Sequence, residues 1–315
     1  MTAPTTPQTL GTAWDALPPN TRGAAWMVAS AFGFTLMATL IKFLGHGYPA
    51  TLQTFYRQLA GFLILLPMII RRPTVFRTTR PGILIFRASA GTLGVILSFY
   101  AFQEMPLAQA NALSFTRTLW LVPLAAFVVR ETVGLNRIVA AMVGFLGVLV
   151  MIGPGLMEHF TIGLPALAML ASAFLFSLTV TGMKVMTRDH DPSTLLVWSA
   201  ALGLVFALPG ALFVWRWPAP FDLFLLAAMG AAGTITQFCY IKGMSIGEAG
   251  AMAPIDYIRL VFTATAGFLL FHEVPTIWTL IGAAIVVAST LYITWREQQA
   301  ARTIATLQAV EGAEG

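Results

Sequence analysis

The chain alternates between long apolar stretches and short polar separators. Each stretch is about 20 residues long, which at 1.5 Å rise per residue spans the hydrocarbon core of a bilayer. The separators carry helix breakers and charges, as in Arg71-Arg72-Pro73 and Gly153-Pro154-Gly155. The pattern therefore predicts ten transmembrane helices, at 24–44, 51–70, 81–103, 107–129, 135–153, 162–186, 193–215, 221–244, 248–271 and 276–295.

The composition supports this prediction and argues against a soluble fold. Of the 315 residues, 57% are hydrophobic and only 10% are charged, whereas soluble domains carry roughly 25% charged residues. A soluble protein with this composition would lack polar side chains to cover its surface, whereas lipid solvates apolar side chains directly. We therefore expect an all-α polytopic membrane protein whose first partner is the lipid bilayer.

The basic residues lie at the ends of the apolar stretches, not in one run or on one face. The net charge of +5 therefore does not indicate a nucleic-acid partner. If the N-terminus is inside, the outer loops hold essentially only Arg216, and the positive-inside rule then predicts a bacterial inner (plasma) membrane protein with both termini cytoplasmic. The predicted cytoplasmic segments hold Arg22, Arg71, Arg72, Arg77, Arg80, Arg130, Arg137, Arg188, Arg296 and Arg302.

An internal repeat with an offset of 142 residues runs along the chain. The segment MVASAFGFTL at 27–36 faces MLASAFLFSL at 169–178. One offset that holds across many helices is difficult to obtain by chance in apolar sequence. The same offset pairs Lys42 with Lys184, Pro67 with Pro209, Arg117 with Arg259 and Glu131 with Glu273.

The repeat predicts the domain organisation. Five helices per copy is an odd number, so the second copy enters the membrane from the opposite side and the repeats are inverted. We predict a first five-helix repeat at 24–155 and a second at 162–297, with polar cytoplasmic tails at 1–23 (disordered) and 298–315. Inverted repeats are typical of secondary transporters, in which two conformations exchange around a midplane site. The alternative is a duplicated helical bundle that transports nothing.

Several motifs resemble those of a known family. They are Phe55-Tyr56-Arg57, Met105-Pro106-Leu107-Ala108, Arg130-Glu131, Ala253-Pro254 with Tyr257, and Phe271-His272-Glu273. Over 24–297 the chain is similar to the EamA branch of the drug/metabolite transporter superfamily, near the members that import S-adenosylmethionine and riboflavin. The resemblance implies a transporter of a small organic metabolite. It also implies that helices 1–4 and 6–9 surround a central site and that helices 5 and 10 are peripheral.

Three ionisable residues lie deep inside predicted spans. A charged side chain at the centre of a membrane helix costs at least about 2.5 kcal/mol, so it persists where it faces protein, water or substrate. Arg117 and Arg259 occupy equivalent repeat positions near the midplane, and Asp256 precedes Arg259 by three residues on the same helical face. Two guanidinium groups and one carboxylate predict a central site for an anionic or zwitterionic solute. The resemblance implies an amino acid or an S-adenosylmethionine-like or riboflavin-like molecule. The alternative is a structural Asp256–Arg259 ion pair.

Other polar residues in the spans are weaker candidates for substrate contact. Tyr257 is the best of the aromatic ones because it adjoins Asp256. Arg57 either lines the cavity or extends to the membrane surface. For Lys42 we expect extension to the surface, and for Glu131 and Glu273 roles as caps or loop anchors. The remaining candidates for the site are Tyr56, Tyr100, Trp120 and Gln237.

The sequence does not indicate an enzyme, a cofactor or a metal site. Gly243-Met244-Ser245-Ile246-Gly247 matches a nucleophile-elbow pattern, but no strand precedes it and no His/Asp set accompanies it. A non-transporting membrane sensor or assembly protein that binds a small ligand is the second functional hypothesis, and short loops argue against it. Small-residue spacings at Ala140-xxx-Gly144 and Ala284-xxx-Ala288 suit helix contacts within the chain or in a homodimer.

Overall fold

The structure is a computed structural model that describes residues 18–71, 78, 81–124, 135–159, 163–186, 192–247, 252 and 255–314. Within these ranges the regular elements are helices, without strands. The bounds are α1 Pro19–Leu44, α2 Ala50–Arg71, α3 Pro81–Glu104, α4 in two segments (Leu107–Ser114 and Thr116–Leu124), α5 Leu135–His159, α6 Leu164–Met186, α7 Pro192–Phe213, α8 Pro220–Ile246, α9 Ile258–Phe271 and α10 Ile277–Glu314.

The all-α polytopic membrane fold predicted from the sequence is confirmed. By length and composition, four of the described helices are long and apolar enough to cross a membrane, namely α1, α2, α3 and α8. Five further helices contain shorter apolar stretches of 10–17 residues. Proline opens α1, α3, α7 and α8, where its fixed φ suits the first turn and its missing N–H leaves no donor unsatisfied.

The fourth span is broken, although the sequence predicts one continuous helix over 107–129. Phe115 separates the two segments of α4, and its N–H donates to the Ala112 carbonyl at 3.2 Å. The Ser114 hydroxyl donates to the Asn111 carbonyl at 2.6 Å, and the Thr116 hydroxyl donates to the Leu113 carbonyl at 2.7 Å. Hydroxyl groups that bond to nearby carbonyls compete with the helical ladder, and this explains the interruption.

The two halves pack through contacts that repeat with the offset seen in the sequence. The Ser30 hydroxyl on α1 donates to the Thr236 carbonyl on α8 at 3.0 Å. The Ser172 hydroxyl on α6 donates to the Gly94 carbonyl on α3 at 2.7 Å. Both members of the second contact are shifted by 142 residues from the first, with the halves exchanged. The α1–α8 and α6–α3 contacts are therefore related by a pseudo-two-fold axis.

α5 and α10 pack closely against each other, and both also contact α4. A Cβ atom on Gly147 would lie 2.8 Å from Cγ2 of Ile285, and one on Gly282 would lie 2.6 Å from the Gly147 carbonyl oxygen. Glycine thus permits the close approach of the two backbones. In the small-residue pairs, Ala140 is buried whereas Ala288 is exposed, and the homodimer remains a prediction.

Candidate functional site

The three charged residues predicted for the site lie at the start of α9 and at the break in α4. The Arg259 side chain is 14% exposed and that of Asp256 is 17% exposed. Nη2 of Arg259 lies 4.0 Å from Oδ2 of Asp256, beyond the 2.7–2.9 Å typical of a charge-assisted hydrogen bond. The pair is therefore loose, and Nε of Arg259 is buried without a hydrogen-bond partner.

Two aromatic rings contact the Arg259 guanidinium. Its central carbon lies 4.3 Å from the ring centroid of Phe34 on α1 and 4.6 Å from that of Phe115 at the break in α4. A cation over the face of an aromatic ring is attracted by the ring quadrupole, by about 2 kcal/mol or more when the pair is desolvated. Phe34 and Phe115, here called the sandwich, therefore restrict the movement of the guanidinium through cation–π contact.

Tyr257 completes this aromatic group at the centre of the molecule. Its ring centroid lies 4.5 Å from that of Phe115, and its hydroxyl forms a hydrogen bond with the Thr290 hydroxyl on α10. Phe115 and Tyr257 are 142 residues apart, so they are equivalent repeat positions that meet at the pseudo-two-fold axis. The axis therefore passes through the site, as expected for a transporter with inverted repeats.

Arg117 belongs to the same electrostatic cluster. The charges of Arg117 and Asp256 both act on Arg259, and Arg117 also acts on Tyr257. The Arg117 carbonyl accepts a hydrogen bond from the Ser177 hydroxyl on α6 at 2.6 Å, which anchors its backbone. Two guanidinium groups and one carboxylate give the cluster one net positive charge, which suits a solute with a carboxylate.

A second polar row runs along α8 from Arg57 toward Arg259. A Cβ atom on Gly233 would lie 3.2 Å from Nε of Arg57, so Arg57 is directed into the α2–α8 contact and not toward the membrane surface. Gln237 follows Gly233 by four residues and is exposed, and Tyr240 follows by seven and is partly exposed. Residues at this spacing share one helical face.

The other aromatic candidates make their contacts elsewhere. Tyr56 stacks against Trp215, with centroids 6.2 Å apart and an interplanar angle of 28°. Trp120 packs edge-on against Phe145 and Phe174, in contact with α5 and α6. Tyr100 is half-buried and packs against the main core. Roles in substrate binding remain predictions for all of them.

The expectation that Lys42 extends to the membrane surface is wrong. Its ammonium forms an ion pair with Glu273 and donates to the Met105 carbonyl at 2.8 Å. The Met105 carbonyl is available because α3 ends one residue earlier, and the carboxylate of Glu273 arrives from the α9–α10 turn. The repeat-equivalent side chains of Glu131 and Lys184, and also Pro254, lie outside the described residues.

Sequence reasoning missed Phe34 and Phe115, because an isolated Phe in an apolar span resembles ordinary packing. The available signal was the repeat, which aligns Phe34 with Phe176. Among the described residues, no group of three His, Cys, Asp or Glu side chains could hold a metal ion.

Comparisons with known proteins agree with this architecture. The model of the EamA-like transporter family matches residues 21–153 and again residues 163–295. The chain is 29% identical over 286 residues to the S-adenosylmethionine uptake transporter of Rickettsia prowazekii, covering 90% of this chain and 96% of the relative. It is 27% identical over 289 residues to the riboflavin transporter of Vibrio cholerae, covering 89% and 95%.

The fold also matches a solved crystal structure. The TM-score is 0.57 at 19% sequence identity, and the match covers 86% of this chain and 98% of the other. At this identity the similarity bears on the fold alone.

Proposed function

The chain is a member of the EamA-like transporter family, and we propose that it moves a metabolite with an α-amino acid head group through a site formed by Arg117, Asp256 and Arg259. The observation that carries the proposal is the partly buried Arg259, whose planar cation is held by two rings while its buried Nε has no hydrogen-bond partner. The family is one of membrane transporters and not of enzymes.

The charge pattern favours a zwitterionic head group. A carboxylate would bridge the N–H groups of Arg117 and Arg259, because guanidinium edges match carboxylate geometry. Asp256 would accept the ammonium group. S-adenosylmethionine, the substrate in the name of one relative, carries this head group. Riboflavin, named for another relative, has no carboxylate and fits this arrangement less well.

Flux into proteoliposomes tests the proposal. Labelled S-adenosylmethionine is the transported probe, with methionine, S-adenosylhomocysteine and riboflavin as unlabelled competitors. We expect methionine and S-adenosylhomocysteine to compete and riboflavin not to, and Arg117→Ala and Arg259→Ala each to abolish flux. Arg87→Ala is the matched control, because Arg87 is an intramembrane arginine that donates to the Ser199 hydroxyl at 2.5 Å outside the cluster. Unchanged flux in both arginine variants would contradict the site. Tight binding without flux would favour the sensor hypothesis.

The transport cycle would follow from the inverted repeats. The two halves rock about the pseudo-two-fold axis and expose the site to one side at a time. Asp256 would also take up a proton and couple transport to the proton gradient. Transport by Asp256→Asn that retains the wild-type dependence on a pH gradient would contradict this coupling.

Orientation, repeat limits and assembly are part of the same proposal. Both termini would lie in the cytoplasm, as the positive-inside rule indicates, with repeats at 24–155 and 162–297 flanked by tails at 1–23 and 298–315. A homodimer would involve the small residues of α10. Reporter fusions at each terminus test the orientation, and mass measurement in nanodiscs tests the assembly.

A further inference from the structure

Phe34 and Phe115 hold Arg259 in one orientation. The rings come from different helices, and each rests on a further aromatic ring. Phe34 makes an edge contact with Phe102 at 5.8 Å between centroids, and Phe115 packs on Tyr257 at 4.5 Å. The side chain of Arg259 is therefore confined between two rings that are themselves immobilised by packing.

The confinement is a cation–π contact, which requires the cation to lie over the ring. It does not occupy the hydrogen-bonding capacity of the N–H groups, which lie in the plane of the guanidinium. The nearest carboxylate oxygen, on Asp256, is 4.0 Å away and does not saturate the edge. Arginine thus loses its rotational freedom before substrate arrives, and this lowers the entropic cost of binding.

We propose that Phe34 and Phe115 are positioning residues that present the edge of Arg259 to the carboxylate of the substrate. This inference rests on the proposed function. The inference extends the proposed function by assigning recognition of the substrate carboxylate to the orientation of Arg259 in addition to its charge. Lysine could not replace Arg259 in this role, because an ammonium group has no plane for the rings to align.

Substrate kinetics in proteoliposomes test the positioning role. We expect Phe34→Leu to raise KM for S-adenosylmethionine about tenfold with a nearly unchanged maximal rate, because leucine removes the ring face. Phe34→Tyr keeps the face and should retain wild-type KM. Phe145→Leu is the control, because Phe145 packs on Trp120 and not on Arg259.

Two results would overturn the inference. One is a wild-type KM for Phe34→Leu while Arg259→Ala abolishes flux, since the proposed function would then survive without the positioning role. The other is an equal rise in KM for Phe34→Leu and Phe34→Tyr, which would indicate packing alone. Persistent flux in Arg259→Ala would overturn both proposals.

A separate set of contacts joins the two repeats at one end of the molecule, here called the Lys42 end, defined by Lys42, Tyr48, Met105 and Glu273. Besides the ion pair with Lys42, the Glu273 carboxylate accepts from the Leu107 N–H at 2.8 Å. Leu107 opens α4, whose first N–H groups lack helical partners, so Glu273 caps that helix from a distant turn.

Further hydrogen bonds reinforce the Lys42 end. The amide of Gln53 donates to the Ile41 and Tyr48 carbonyls at 3.1 and 2.9 Å. The Tyr48 hydroxyl donates to the Asp222 carboxylate on α8 at 2.7 Å, which is a second link between the repeats. Burial of the phenol and the neighbouring Asp222 carboxylate raise the pKa of Tyr48.

We infer that Lys42 and Glu273 form the latch that closes the site at the Lys42 end. Rocking of the repeats separates their ends on one side of the membrane at a time, and at this end the separation must break the contacts of Glu273 with α1 and α4. The latch rests on the proposed function, but its contacts are independent of the arginine site.

A reversible cross-link tests the latch. In a Cys239→Ser background we expect Lys42→Cys/Glu273→Cys to stop flux when oxidised and to recover it with a reductant. Ala140→Cys/Ile293→Cys is the control, because these two residues, on α5 and α10, share a cluster with Leu119 and Val122 of α4 that does not include the Lys42 end, and its oxidised form should transport. Unchanged flux in the oxidised Lys42→Cys/Glu273→Cys protein, with the disulfide verified by mass spectrometry, would overturn the latch but not the site.

Discussion

The two repeats place the same residue types around the pseudo-two-fold axis, but the residues that accompany the two arginines differ. Arg259 of the second repeat has Asp256 three positions before it, whereas Arg117 of the first repeat has Ser114 at the equivalent position. The sandwich of Arg259 uses Phe34 and Phe115, and the equivalent positions in the sequence are Phe176 and Tyr257. The scaffold is therefore nearly symmetric whereas the charge is not.

This difference separates two requirements of a transporter. Alternating access needs two conformations of similar free energy, which near-symmetric packing supplies. Recognition of a zwitterion needs unlike charges at defined places, which a strictly symmetric site could not supply because each charge would be duplicated. Under the proposed function, one acid on one side of the axis would give the substrate a direction in the site.

Replacement of arginine by lysine should reveal the largest functional difference between the two repeats. We expect Arg259→Lys to lower flux about 100-fold, because lysine lacks both the planar faces and the in-plane edges of the sandwiched group. Arg117→Lys should cost about tenfold, since lysine keeps the charge of Arg117 and loses only the edge that would bind the carboxylate. Initial rates of S-adenosylmethionine uptake measure both effects, and equal losses would contradict the distinction between the two repeats.

Exchange of the acidic position should have the next largest effect. Asp256→Ser makes the second repeat resemble the first and removes the partner of the ammonium group. We expect KM for a zwitterionic amino acid head group to rise about tenfold. Ser114→Asp in the Asp256→Ser background should recover part of this loss, by restoring one carboxylate across the axis. Competition assays with methionine and its deaminated acid measure the preference, which should shift toward the acid in Asp256→Ser.

Tyr257→Phe would make the pair of equivalent residues at the axis, Phe115 and residue 257, identical, and we expect small effects. The change removes the hydrogen bond to Thr290, while Thr290 still donates to the Val286 and Val287 carbonyls at 3.0 Å. We expect a loss of about 1 kcal/mol in stability and about a twofold change in flux. Thermal unfolding in detergent measures the first, and a loss of flux as large as that of Arg259→Lys would assign the hydroxyl a direct role in binding.

The smallest effects should come from the equivalent serines. Ser30→Ala and Ser172→Ala each remove one hydrogen bond between the repeats, and each should lower stability by about 0.6 kcal/mol, an average for such bonds within membranes. Flux should be unchanged in both. Markedly different melting temperatures of the two variants would show that the two equivalent contacts do not contribute equally to stability.

The sequence alone predicted the membrane helices, the internal repeat and the charged residues within the spans. The 20-residue apolar stretches and the low charge content specify membrane helices, because lipid accepts few other structures. The 142-residue offset specifies the repeat. Arg117, Asp256 and Arg259 were identifiable because a charge within a span is costly and therefore informative. Orientation, assembly and the binding role of each residue remain predictions.

Tertiary structure decided which side chains meet. Phe34 and Phe115 are separated by 81 positions and look like any apolar residues until α1 and α4 place both rings on Arg259. Lys42 and Glu273 are 231 positions apart, and each alone reads as a residue at a helix end. Periodicity and composition report the solvent around a helix, whereas contacts between distant positions depend on how the helices pack. The membrane architecture could therefore be predicted from the sequence. The contacts of Phe34 and Phe115 with Arg259, and of Lys42 with Glu273, became apparent only in the fold.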